Sequence, residues 1–138
     1  MDILKRFRSM LPSRWHRLKA AHLRLGQKGE DIAAESLQER GMELLCRNFR
    51  SHHGELDLVL RDGCELVIAE VKTRRRMRHG TPADAVDAAK RRMVIKTAAA
   101  YTRTLGFPRL KRRYDIVEVV FDGARLASVT HWPNAFRE

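Results

Sequence analysis

The stretch ELVIAEVKTRRR, Glu65 to Arg76, decides the fold. Leu66-Val67-Ile68-Ala69 is an apolar, largely β-branched run of the kind that marks a strand buried in a sheet. Glu70 follows without a turn signal, Lys72 comes two residues later, and the chain then turns strongly basic. A carboxylate on such a strand loses hydration, so a compensating partner is expected close by.

Upstream, ELDLVLR (55–61) alternates strictly between polar and apolar residues and reads as a second strand. The Asp62-Gly63 pair between the two is a strong hairpin signal. If those two residues form the turn, Arg61 faces Cys64, Glu55 faces Glu70, and Asp57 lies diagonal to Glu70. Residues two apart share a face, so Glu55, Asp57, Glu70 and Lys72 are all expected on one side of the sheet. Three carboxylates there repel one another, and Lys72 supplies a single positive charge. Oxygen-only ligands beside a lysine suit a hard divalent cation such as Mg²⁺. In a basic protein that combination suggests phosphodiester hydrolysis, with the cation as Lewis acid and the lysine acting on the water or the phosphate. Spacing alone leaves an equally simple alternative, an ordinary Glu70–Lys72 ion pair at a solvated sheet edge.

The remaining elements frame this hairpin. GEDIAAESLQERG (29–41) carries Ala33, Ala34 and Leu37 on one helical stripe and ends at Gly41. Glu30 falls on the inward side of that stripe, near the helix start. Met42–Arg50 reads as the first strand and Cys64–Lys72 as the third. A basic loop, TRRRMRHGTPAD, leads to a second amphipathic helix through Val86, Ala89, Met93, Thr97, Tyr101 and Leu105. YDIVEVVF and ARLASVTHW, joined by Asp122-Gly123, are the fourth and fifth strands. The order α-β-β-β-α-β-β predicts an α/β fold with a mixed central sheet flanked by helices.

The 138 residues suit one domain, and a hydrophobic content of 43% suits a globular one. The formal net charge of +11 favours a polyanionic partner, nucleic acid or an anionic membrane surface. Cys46 and Cys64, both in strand-like segments, read as reduced, and with His52 and His53 they match no zinc-motif spacing. Residues 1–25 form a basic amphipathic segment broken at Pro12. The simplest expectation is an extension packed on the domain or a partly disordered tail, with membrane or nucleic-acid contact, or organellar targeting, as alternatives.

GELDLV followed by AEVKTR resembles the PD-(D/E)XK nuclease signature, with Asp57 as the first motif aspartate and Glu70-Val71-Lys72 as (D/E)XK. With GQKGEDIAAESLQERGMELLCRNFR and RYDIVEVVF, the chain from Gly26 onward resembles the YraN-type family, which is similar to archaeal Holliday junction resolvases. The resemblance implies a restriction-endonuclease-like α-β-β-β-α-β core. It implies Asp57, Glu70 and the Val71 carbonyl as ligands of Mg²⁺, with Mn²⁺ as a substitute, and Lys72 as the catalytic lysine. Glu30 matches the helix glutamate that approaches the metal, and Glu55 belongs to the GE-hydrophobic-D motif. Leu56 stands where the nuclease pattern has proline. Arg74, Arg75, Arg76 and Lys90 are the expected phosphate contacts, joined by Arg78 and by basic residues at 91, 92, 96 and 111–113. The expected function is a Mg²⁺-dependent endonuclease on structured DNA, branched DNA included, in the bacterial cytoplasm or nucleoid, with a homodimer as one expected state. A non-catalytic nucleic-acid-binding protein on the same fold is the alternative. Membrane docking through residues 1–25 is a third reading, and membrane association is not expected.

Overall fold

The computed structural model describes residues 25–76 and 86–138. The amphipathic extension before Leu25, and Arg78 in the basic loop, lie outside them. Two helices and five strands follow the predicted order: α1 (Leu25–Glu39), β1 (Glu43–Ser51), β2 (Gly54–Asp62), β3 (Glu65–Arg75), α2 (Ala88–Thr104), β4 (Arg112–Asp122) and β5 (Arg125–Phe136). The strands lie side by side in chain order. Only β3 and β4 run parallel; the other neighbours are antiparallel, so the sheet is mixed. The parallel pair requires a crossover, and α2 lies in it. This α/β arrangement is consistent with a restriction-endonuclease-like fold. Among the described residues no helix is long and apolar enough to cross a membrane.

Each face of the sheet buries its own core. On one side α1 lays Ala33, Ala34 and Leu37 over Leu58, Leu60, Val67, Ala69, Val117 and Val119. The small alanines let the helix axis approach the sheet closely. The helix stops in a Schellman arrangement: Gly41 takes φ +92°, its N–H donates to Gln38 O at 3.0 Å, and Met42 N–H donates to Leu37 O at 3.2 Å. On the other side α2 buries Val94, Ala98, Tyr101 and Leu105 against Leu56, Val59, Leu66, Ile68 and Ile116. Asp87 caps this helix by accepting from Lys90 N at 2.8 Å. Helix α2 packs on β1 and β2, whereas α1 lies mainly on β3 and β4.

The hairpin register differs from expectation. Asp62 pairs with Glu65, and the loop is Gly63-Cys64 rather than Asp62-Gly63. Only Gly63 of the two takes a positive φ, +61°. A loop with both residues left-handed favours Asp-Gly, whereas one with only its first residue left-handed favours glycine there. Cys64 is accordingly an exposed turn residue and not a strand residue; both cysteines are free. The slip is two residues, so it preserves which face each side chain takes. It moves Asp57 from a diagonal position to one directly across from Glu70.

Candidate active site

Regular pairing of β2 with β3 ends at Leu58–Ala69. One residue further, Asp57 Oδ2 accepts a hydrogen bond from Val71 N at 2.9 Å. A side chain thus takes the place of a ladder carbonyl at the point where the strands part. The alternation of β2 breaks there too. Leu58 belongs to the α1-side core and Leu56 to the α2-side core, although two residues apart should share a face. Opposite the break, Asn48 of β1 takes φ +52°, and the β1–β2 ladder passes from Arg47–Leu58 to Phe49–Leu56.

This break corrects the expectation that four charged residues share one face. Glu70 lies on the α2 side, since Ile68 before it does, and Lys72 follows it by alternation. Glu55, next to Leu56, turns to the α1 side and pairs with Arg50 at 3.2 Å. Glu30 approaches from helix α1, 3.9 Å from Arg47. Asp57 sits where its charge is felt by both Glu30 and Glu70.

Gly29 is what lets Glu30 come this close. It is buried, and a Cβ there would collide with Thr73 Oγ1 and stand 3.1 Å from Thr73 Cβ. Gly29→Ala is expected to cost about 1–3 kcal/mol by overpacking and to push the start of α1 off the sheet. Urea unfolding of that variant, alone and with Thr73→Ala, checks this: the second substitution should recover part of the loss.

Glu70 has the most constrained carboxyl. Its side chain is 2% exposed, Lys90 Nζ stands 3.7 Å from Oε2, and Oε1 is buried with no hydrogen-bond donor among the described residues. Burial pushes its pKa well above the usual carboxylate range, the adjacent Asp57 pushes it further, and Lys90 opposes both. Burial also raises Glu30 to about 7; Asp57 adds to this, while Arg47 and Asn48 oppose it. Such crowding is unfavourable when all three acids are ionised, and either a proton shared by Glu70 and Asp57 or a further positive charge relieves it.

The residues present fit a hard cation. Asp57 and Glu70 provide adjacent carboxylates, Glu70 Oε1 has an open coordination valence, and all the donors are oxygen. No group of three His, Cys, Asp or Glu side chains among the described residues forms a ready-made cluster. A site here would need a backbone oxygen, for which the Val71 carbonyl is the candidate, and water.

The expected phosphate contacts separate. β3 continues through Arg75, so Arg74 takes the Glu70 face and Arg75 the other. Arg74 is half-buried, 4.0 Å from Glu118 on β4. Arg75 is exposed, and Arg76 pairs with Asp122 at 3.1 Å. Lys90 faces Glu70 rather than solvent alone. The Lys111-Arg112-Arg113 run is absorbed by internal pairs: Lys111 with Glu65, Arg112 with Glu138, and Arg113 with Asp62, Glu65 and Asp115.

Sequence reasoning missed Asp115. It is fully buried, accepts from Arg113 through both carboxylate oxygens, and also binds His131 Nε2 at 2.7 Å and Asn134 N at 2.8 Å. The Arg40 guanidinium meets His131 Nδ1 at 2.8 Å. A guanidinium only donates, so Nδ1 accepts and the ring hydrogen sits on Nε2, directed at Asp115. The signal was visible as an acid inside an otherwise β-forming run, YDIVEVVF.

Residues 29–119 match the model of the uncharacterised protein family UPF0102. A UPF0102 protein of Syntrophotalea carbinolica is 46% identical over 114 residues, which is 83% of this chain and 92% of that protein. One from Rhodococcus jostii is 40% identical over 117 residues, 85% of this chain and 99% of the relative. One from Symbiobacterium thermophilum is 47% identical over 96 residues, 70% of this chain and 81% of the relative.

Proposed function

The chain belongs to the uncharacterised protein family UPF0102, and from that premise we propose that it is a divalent-cation-dependent endonuclease hydrolysing phosphodiester bonds in structured DNA, branched forms included. The observation that carries this reading is the buried Glu70 carboxyl, one oxygen of which meets no donor among the described residues, set against Asp57 where β2 and β3 part. A Lys90–Glu70 ion pair alone would not explain why Asp57 is set against Glu70. Asp57, Glu70 and the Val71 carbonyl would hold the cation. Mg²⁺ or Mn²⁺ in that place supplies Lewis-acid activation of the phosphate and of the attacking water.

The chain's own groups do the rest. Asp57 is fixed by the Val71 N–H, so its second oxygen has a defined direction. Lys72, on the Glu70 face, offers its ammonium to the phosphate or to the attacking water. Lys90 neutralises Glu70 while no cation competes with it. Glu30, with a pKa of about 7, exchanges a proton near neutrality. Arg74 and Arg75 hold the flanking backbone from the two faces of β3.

Protons and the cation compete for the same carboxylates. Burial and Asp57 hold the Glu70 pKa well above the usual carboxylate range, so its proton has to leave before a cation binds and binding strengthens as the pH rises. Mn²⁺ should therefore raise the melting temperature more at about pH 8 than at about pH 6, by linkage to the folded state. A Glu70→Gln variant should show no Mn²⁺-dependent shift at either pH. An equal shift in that variant would place the cation elsewhere.

The Lys90–Glu70 pair favours a second reading, a non-catalytic nucleic-acid-binding protein on the same fold. Incubation with Mg²⁺ or Mn²⁺ and linear, flapped and four-way DNA separates the two. Strong salt-sensitive binding with no cleavage of any substrate supports the second.

A further inference from the structure

Trp132 is 38% exposed on β5, and Leu126 is the other exposed large hydrophobic side chain among the described residues. The two lie on opposite faces. Leu126 pairs with Phe121 of the α1-side core, whereas Trp132 pairs with Ile116 of the α2-side core. Ile116 in turn pairs with Glu70. Glu70, Ile116 and Trp132 therefore form one row across three strands, on one face. At about 4.8 Å per strand step, the indole stands roughly 10 Å from the Glu70 position. The next row along contains Lys72, Glu118 and Thr130.

The chain on both sides of Trp132 is anchored although the indole is exposed. Asp115, on the opposite face, bonds His131 through one carboxylate oxygen and Asn134 N through the other, so it anchors β5 on both sides of Trp132. A bulge between the Tyr114–Phe136 and Ile116–Trp132 pairs, with Asn134 at φ +54°, then turns the strand away. A buried network thus anchors the strand that carries a large flat apolar side chain in the open, in the row of the candidate cation ligand and one row from that of Lys72.

We propose that Trp132 is a specificity-determining platform on which an unpaired base stacks, so that the preferred substrate is nucleic acid with a single-stranded or unstacked nucleotide next to the cleaved phosphate. This rests on the nuclease reading above and names the substrate class of that site. A paired base inside a duplex has no free π-face for the indole. A flap, loop or junction does, and any base serves because every base has a π-face. The basic side chains of the same face, Lys72 and Arg74, provide for the backbone on which that base is carried.

The test is affinity, measured on the full chain without divalent cation, for a single-stranded oligonucleotide, its duplex, a flapped duplex and an abasic single strand. Trp132→Ala should weaken binding to the single strand and the flap about tenfold, the order expected for one base–aromatic stack. It should leave the duplex and the abasic strand nearly unchanged, and Trp132→Phe should recover most of the loss. Equal weakening on all probes, no weakening on any, or no binding by the unsubstituted chain overturns the proposal. So does a change of oligomeric state in sedimentation that accounts for the loss, since Trp132 would then be a contact between copies. Cleavage with Mg²⁺ is scored separately: absent cleavage with Trp132-dependent binding rejects the nuclease reading and keeps the stack. Cleavage with Trp132-independent binding does the reverse.

Discussion

Glu70→Gln is expected to lower cleavage by about two to three orders of magnitude or more, the scale of losing a preorganised charge-stabilising group, while making the fold more stable. The two effects have one origin. The folded chain binds the Glu70 proton more tightly than the unfolded chain does, because burial and Asp57 raise its pKa. Stability attached to that proton is present below the unfolded pKa and is lost as the pH rises toward the folded one. A neutral amide of the same shape removes that loss and can donate to Asp57. The gain at neutral pH should be about 1–2 kcal/mol, in the range of stabilising active-site replacements. Thermal melts between acidic and slightly alkaline pH check this: the unsubstituted chain should lose stability relative to the variant as pH rises. A variant less stable at every pH would mean that Lys90–Glu70 is a structural pair and would remove the main support for a cation site. Asp57→Asn should also abolish cleavage, with a smaller gain, because Asp57 accepts from Val71 N in the fold.

The largest stability loss is expected from Asp115→Ala. This carboxylate has no exposure and four donors: two guanidinium nitrogens of Arg113, the His131 ring and the Asn134 amide. Its removal leaves Arg113 with Asp62 and Glu65 alone and removes the side-chain tie between β4 and the His131–Asn134 end of β5. Breaking a buried pair in this way costs about 3–5 kcal/mol, a large share of a total stability of about 5–15 kcal/mol. Chemical denaturation should show the midpoint falling accordingly. A double variant separates loss of the network from the cost of a buried guanidinium that has lost its main partner: Asp115→Leu with Arg113→Met should recover part of the loss, since Glu65 keeps Lys111 and Asp62 lies at the surface. Equal destabilisation in single and double variants would assign the effect to the His131 and Asn134 bonds instead.

The element order could be read from periodicity because each helix and strand buries a regular stripe, as with Ala33, Ala34 and Leu37 or Leu66 to Ala69. Asp57, Glu70 and Lys72 stood out because charge on an apolar strand is costly and so informative. Three things were beyond periodicity. The hairpin loop fell at Gly63-Cys64 because backbone handedness at one residue chose between two adjacent turns. The turn of Glu55 to the other face depended on the break at Asp57, which pairs with a positive φ in another strand. The pairing of Glu70 with Lys90 depended on where a helix begins after a long crossover. Likewise the basic run at 111–113 looked like a nucleic-acid surface, and only the fold brings Glu65, Glu138 and Asp115 to it.

The single parallel junction between β3 and β4 also bears on how the molecule folds. The β1–β2–β3 meander and the β4–β5 hairpin each close through short loops, but they meet only across the α2 crossover, where Leu66 finds Arg112. The entropic cost of long-range closure thus falls on one step, and such non-local pairing slows folding. Asp57 and Glu70 lie wholly on the early side of that step, in one local hairpin, whereas Lys90 and Trp132 join them only after it. On this topology the two acids are expected to meet before Lys90 and Trp132 join them, which hydrogen-exchange labelling during refolding would read.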